Sequence, residues 1–120
     1  MTTAMVHQWA DVAATVYYAD KGEIVAPRHN HGDYEHTTAC LAGRSLVSIF
    51  DGRPARIMSP ADGSIALPGH IDHEVSALED GTIVMHMMST IGYPAGYPAA
   101  ARAADPKDGE HGGVIFANAS

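Results

Sequence analysis

The chain has 120 residues, 46% of them hydrophobic and 18% charged, enough for one domain with a real core and too few for two. Its 14 acidic against 7 basic side chains give a formal charge of −7. That excess argues against nucleic acid or an anionic membrane as a partner, since binding a phosphate backbone needs clustered Lys and Arg.

Residues 5–14 read as a lead-in strand or a short helical turn around Trp9, a core plug, with His7 at the surface. Thr15-Val16-Tyr17-Tyr18 is β-branched and aromatic, hence a strand, and Asp20-Lys21-Gly22 turns it. Glu23-Ile24-Val25-Ala26 is a second short strand, stopped by Pro27. Residues 36–42 alternate and end at Gly43; residues 45–50 follow, with the hairpin signal Asp51-Gly52 after them. Residues 53–58 read as the returning strand, residues 59–63 as a turn, and residues 64–67 as a further strand broken by Pro68-Gly69. Strands over 73–77 and 82–88 complete the series. Short strands with turn signals every eight to twelve residues predict an all-β sandwich or barrel.

The chain is organised around Arg28-His29-Asn30-His31-Gly32-Asp33-Tyr34-Glu35-His36, which holds three of the eight histidines. His29 and His31 are two apart, so on an extended strand both side chains leave one face and their imidazoles can converge. His36 or Glu35 can close the set from the start of the following strand. Such a His-rich set with one possible carboxylate suits iron, manganese, nickel, copper or zinc.

A second stretch, Gly63-Ser64-Ile65-Ala66-Leu67-Pro68-Gly69-His70-Ile71-Asp72-His73, belongs with the first. Together they resemble the two motifs of the cupin superfamily. The first motif reads His29-Asn30-His31, then Glu35-His36, then Gly43; the second reads Gly63, an apolar strand, Pro68-Gly69 and His73. The pair covers most of residues 22–77 and departs from the pattern at His70, which stands where the second motif carries glycine. The resemblance implies a single double-stranded β-helix, the cupin or jelly-roll barrel, with a metal held by the two motifs. The family's spacing back from Gly43 selects His36 as third ligand. Strand alternation agrees, since His36, Thr38 and Cys40 then share one face. The expected ligands are therefore His29, His31, His36 and His73, with Glu35 as the alternative, around one divalent metal per chain. Fe(II) is favoured; Mn, Ni, Cu or Zn are the others.

Other residues carry weaker signals. His86 on a late strand reaches the pocket as a hydrogen-bond donor or proton shuttle if its register points inward. Glu35 and Tyr34 are the further candidates for moving protons, and Tyr34 and Asp72 flank ligands where a substrate would bind. His70 reads as a loop residue at the barrel mouth, Cys40 as a small core group, and Met85, Met87 and Met88 as core filler.

Residues 1–91 are expected to form the barrel. Residues 92–120, with Gly92-Tyr93-Pro94-Ala95 repeated as Gly96-Tyr97-Pro98-Ala99, form an arm that packs on it or on a partner subunit. The single cysteine, Cys40, excludes an internal disulfide framework. Residues 1–4 lack the charged and apolar regions of a signal peptide, and no apolar run nears the ~20 residues that span a bilayer. A cytoplasmic protein with no membrane partner is the expectation. Small cupins commonly pair, so the resemblance also implies a homodimer.

Three functions of different class fit the residues, and the oxygenase is preferred, then the non-redox enzyme, then the binder. The first is a metal-dependent oxygenase, a dioxygenase acting on a small enol, diketone or catechol-like compound. The second is a non-redox isomerase, lyase or cyclase acting on a small carbonyl compound. The third is a small-ligand-binding cupin without turnover.

Overall fold

The alternation of β-branched with small or polar residues is realised as ten strands among the described residues, which are 2–8, 12–32, 35–89 and 114–118 of a computed structural model. These are β1 Thr3–Gln8, β2 Val12–Ala19, β3 Ile24–His29, β4 His36–Ala42, β5 Ser45–Ile49, β6 Arg56–Met58, β7 Ser64–Leu67, β8 His73–Ala77, β9 Thr82–Ser89 and β10 Val114–Asn118. A 3-10 turn, Pro60–Asp62, leads into β7. The strands form a six-stranded sheet, order β10-β1-β2-β9-β4-β7, and a four-stranded sheet, order β3-β8-β5-β6. All pairings are antiparallel except β1 with β10, which is parallel. No helix among the described residues is long and apolar enough to cross a membrane.

Inward faces follow the two-residue period of a strand. Strands β5 and β8 alternate buried with half-buried positions throughout, as does β4 over its first five residues. Tyr17, Val84 and Cys40 lie in one cross-strand row of the larger sheet; Val75 and Val47 are partners in the smaller. All five are buried, and with Met58, Leu67 and Val25 they form the shared apolar core.

One end of this core is closed by turns. The Gly22 amide donates to Ala77 O at 2.9 Å, the Leu78 amide to Arg44 O at 2.9 Å, and the Gly81 amide to an Asp20 carboxylate oxygen at 3.0 Å. Gly43 belongs to this end for a steric reason. Its φ is +72°, and a Cβ there would lie 2.6 Å from Thr82 Oγ1.

Several expectations need correction. Pro27 does not stop a strand: β3 runs through it to His29. β3 is an edge strand, where a missing N–H costs no ladder bond, and its register is irregular on both sides of Ala26. The returning strand after Asp51-Gly52 is only Arg56–Met58. Residues 5–14 give strand at 5–8 and 12–14, while Trp9 lies outside the described residues. Met85 and Met87 are not core filler, because Val84 and His86 take the inward positions of β9 and leave both methionines half-buried on the outer face. Cys40 is a buried core group, and burial pushes its thiol pKa up. Of the arm, residues 114–118 form β10 beside β1, and residues 92–113 lie outside the described residues.

Candidate metal centre

His29 is the last residue of β3, His73 the first of β8 and His36 the first of β4. Antiparallel pairing therefore gathers all three at the end of the barrel opposite the closing turns. His29 and His73 are direct cross-strand partners, and Ile49 flanks His73 on its other side. His36 enters from the opposite sheet. His31 lies just beyond β3, where its amide donates to Gly69 O at 2.8 Å, tying the first motif to the second. The side chains around it reinforce that tie. Asp72 accepts from Arg28 Nε at 3.0 Å and from Asn30 Nδ2 at 2.8 Å, so the residues flanking His29 are clamped to the residue before His73. An exposed ion pair of this kind adds at most ~1 kcal/mol; its value here is positional.

One ligand atom from each of His29, His31 and His73 lies within 4.8 Å of the others. His29 Nε2 and His31 Nε2 are 3.1 Å apart, the separation of two nitrogens each ~2.1 Å from one ion at roughly a right angle. His29 Nδ1 donates to Pro27 O, and His73 Nδ1 to Ile71 O at 3.0 Å. A carbonyl only accepts, so each Nδ1 carries the proton and each neutral ring presents an Nε2 lone pair. His36 stacks on His31, with ring centroids 3.8 Å apart and planes 23° from parallel. It falls outside the three-histidine group, yet its Nε2 is buried and makes no hydrogen bond among the described residues.

Charge on His31 and His36 is strongly disfavoured. Burial, followed by the neighbouring His36, His29 and His73, pushes His31 far below the ordinary imidazole value. Burial, then His73 and His29, brings His36 down to about 4. Neutral, converging imidazoles with two tautomers fixed by backbone carbonyls and one buried orphan nitrogen fit a divalent transition metal.

The remaining candidates separate clearly. Glu35 is exposed, while His36 is 6% exposed and faces the interior. His86 is inward and 5% exposed, paired with Thr15 on one side and Thr38 on the other, with its ring 4.9 Å from Tyr17. Thr38 lies on the face that it was expected to share with His36 and Cys40, whereas Thr15 carried only a strand signal. Tyr34 lies outside the described residues. His70 is exposed in the turn before β8, and Asp72 is occupied by the clamp.

No family model matches the chain, and no curated protein matches it. Solved structures do. KdgF from Halomonas sp. is 25% identical, with 68% of this chain and 72% of that one covered and a TM-score of 0.59. An RmlC-like cupin from Shewanella frigidimarina NCIMB 400 is 24% identical over 66% of each chain, at a TM-score of 0.54. The fold is therefore that of the cupin barrels. The DMSP lyase DddQ from Ruegeria pomeroyi DSS-3 is also similar, at 24% identity and a TM-score of 0.58, with 75% of this chain and 45% of that protein covered. The matching barrels place the three-histidine cluster of this cupin in a double-stranded β-helix.

Proposed function

We propose that this cupin is a metal-dependent enzyme acting on a small carbonyl or enol compound, with His29, His31, His73 and His36 around one divalent transition metal. What carries the reading is the convergence of three imidazoles, two of them with Nδ1 fixed on a backbone carbonyl. When bound, such an ion supplies a Lewis acid for a substrate oxygen or, as Fe(II), a site for O₂. The chain's own groups position the donors from two sheets and flank them with buried apolar side chains such as Leu67 and Ile49.

Two reaction classes follow, and one observation orders them. His86 is a buried imidazole on the interior face, among the groups that depress His31, and its Nε2 can hold or move a proton. An isomerase, lyase or cyclase needs such a group, and the exposed Glu35 does not supply one to the interior. Non-redox chemistry therefore comes first. The Fe(II) dioxygenase acting on an enol, diketone or catechol-like compound comes second, supported by the all-neutral donor set. That set leaves a divalent ion its full charge for an anionic oxygen.

Elemental analysis of protein purified without chelator, with anaerobic Fe(II) reconstitution, tests both. Zinc, nickel or manganese near one per chain, with turnover of carbonyl compounds and no O₂ uptake, supports the first class. Iron with O₂ uptake on a diketone or catechol panel replaces it with the second. Metal without any turnover makes the protein a binder, and no metal on purification or reconstitution overturns the centre.

A further inference from the structure

A cavity of about 700 Å³ beside β5, β6 and β7 is lined by Val47, Ile49, Ile65, Arg53 and Arg56. Its position follows from register. Ile49 is the Cα partner of His73, so the cavity and the imidazoles share a wall.

Arg56 is the unexpected member. It pairs with Val47, which is 2% exposed, and lies two residues before Met58, which is 0% exposed. Both relations put the base of Arg56 on the Val47 side of β6, where strand alternation calls for an apolar residue, while its side chain, 52% exposed, lies at the open mouth of the cavity. The two guanidinium groups at this cavity are not equivalent. Arg53 is neutralised locally, its Nε and Nη2 lying 2.6–3.0 Å from the Asp51 carboxylate. Arg56 has Asp62 at 4.0 Å, and that carboxylate already accepts from Ser59 N at 2.7 Å and Ser59 Oγ at 3.1 Å. In a chain of net charge −7, a weakly compensated arginine at the mouth of a cavity with an apolar floor is a local reversal of the overall field.

The geometry points to a short-chain carboxylate as the substrate class, its carboxylate held by Arg56 and its apolar body lying on Val47, Ile49 and Ile65. Arg56 is two strands and two residues from His73, so their Cα atoms are about 12 Å apart at the usual strand spacings. A short ligand held at Arg56 would span that distance with its other end toward the histidines. Only this last placement rests on the metal-centre reading; recognition of the carboxylate by Arg56 does not.

The experiment compares hexanoate with its neutral isostere hexanamide, titrated into the full chain with and without metal and followed by backbone amide shifts. Wild type, Arg56→Gln and Arg53→Gln are each measured, with metal content determined in parallel. The expected result is a preference for hexanoate of at least about tenfold, the scale of a charge-assisted hydrogen-bond pair. That preference disappears in Arg56→Gln, is reduced less in Arg53→Gln, and leaves metal content unchanged in both. Equal affinity for the two probes in wild type, including binding of neither, overturns the proposal. So does a preference that survives in Arg56→Gln, which would place the carboxylate on the metal. Unaltered binding together with self-association of Arg56→Gln also overturns it, and would assign the Arg56 charge to protecting the β6 edge. An Arg56-dependent preference in protein that takes up no metal would sink the metal centre and leave this inference standing.

Discussion

His29 and His73 face each other across the β3–β8 pair, ring centroids 4.8 Å apart, and each donates Nδ1–H to the carbonyl two residues before itself. The same local device on two strands turns both Nε2 atoms to the interior. Loss of an outer hydrogen-bond partner alone costs roughly 10–100-fold in metal affinity, so loss of the ligand itself costs more. His73→Ala should therefore lose metal affinity by more than about 100-fold while the far end of the barrel, stitched by its own turns, stays folded. Metal titration and the cooperativity of urea unfolding read the two effects separately. Wild-type occupancy in the variant would remove His73 from the centre.

Glu35 and His36 are adjacent, and β4 sends them to opposite sides. Glu35→Ala should keep its metal and its stability to within about 0.5 kcal/mol, as for an ordinary surface substitution. His36→Ala should weaken metal binding, because the ring lost is the one stacked on His31 with a buried, unsatisfied Nε2. Isothermal titration with Zn(II) separates the pair. Weakened binding in Glu35→Ala with wild-type binding in His36→Ala would reverse the assignment.

That contrast shows what was legible in the sequence. Alternation from His36 through Thr38 to Cys40 is a local property of one strand, and the structure buries all three. The two histidine motifs were equally legible, because each lies within a few residues of a turn that Pro or Gly announces. Properties set by a partner strand were not. Arg56 stands at the cavity mouth because β5 fixes the register of a three-residue strand, and nothing in Arg53-Pro54-Ala55-Arg56 reveals that. Met85 and Met87 misled for the complementary reason. Hydrophobicity alone favoured the core, while the strand period gave the interior to Val84 and His86. The Asp72 clamp depends on residues more than forty positions apart and has no sequence period at all.

Gly43→Ala tests the closed end. A left-handed φ costs a non-glycine residue about 1–2 kcal/mol, and here the new Cβ would also meet Thr82 Oγ1 at 2.6 Å and Thr82 Cα at 3.0 Å. Thr82 cannot retreat freely, since its hydroxyl donates to Glu79 O at 2.7 Å. The expected loss is about 2 kcal/mol or more of unfolding free energy, read by urea denaturation, with metal affinity unchanged because the histidines sit at the other end. Weakened metal binding at unchanged stability would contradict this division of the barrel.

Acid should destabilise the metal-free protein through the same imidazoles. His36 drops from an ordinary 6.5 to about 4 in the fold, and His31 shifts in the same direction. With a depressed folded value, the unfolded chain takes up its proton first. Stability is therefore full above about 6.5 and falls as pH drops through the window down to about 4, at up to ~1.4 kcal/mol per pH unit for each proton. Urea midpoints of chelator-treated protein at about pH 7.5, 6 and 5 should decline in that order, and His36→Gln should decline less steeply, because one of the two depressed groups is gone. Protons compete for the same Nε2 lone pairs, so metal should be released over the lower part of this range. Parallel pH profiles for wild type and His36→Gln would mean that the acid sensitivity arises elsewhere in the chain.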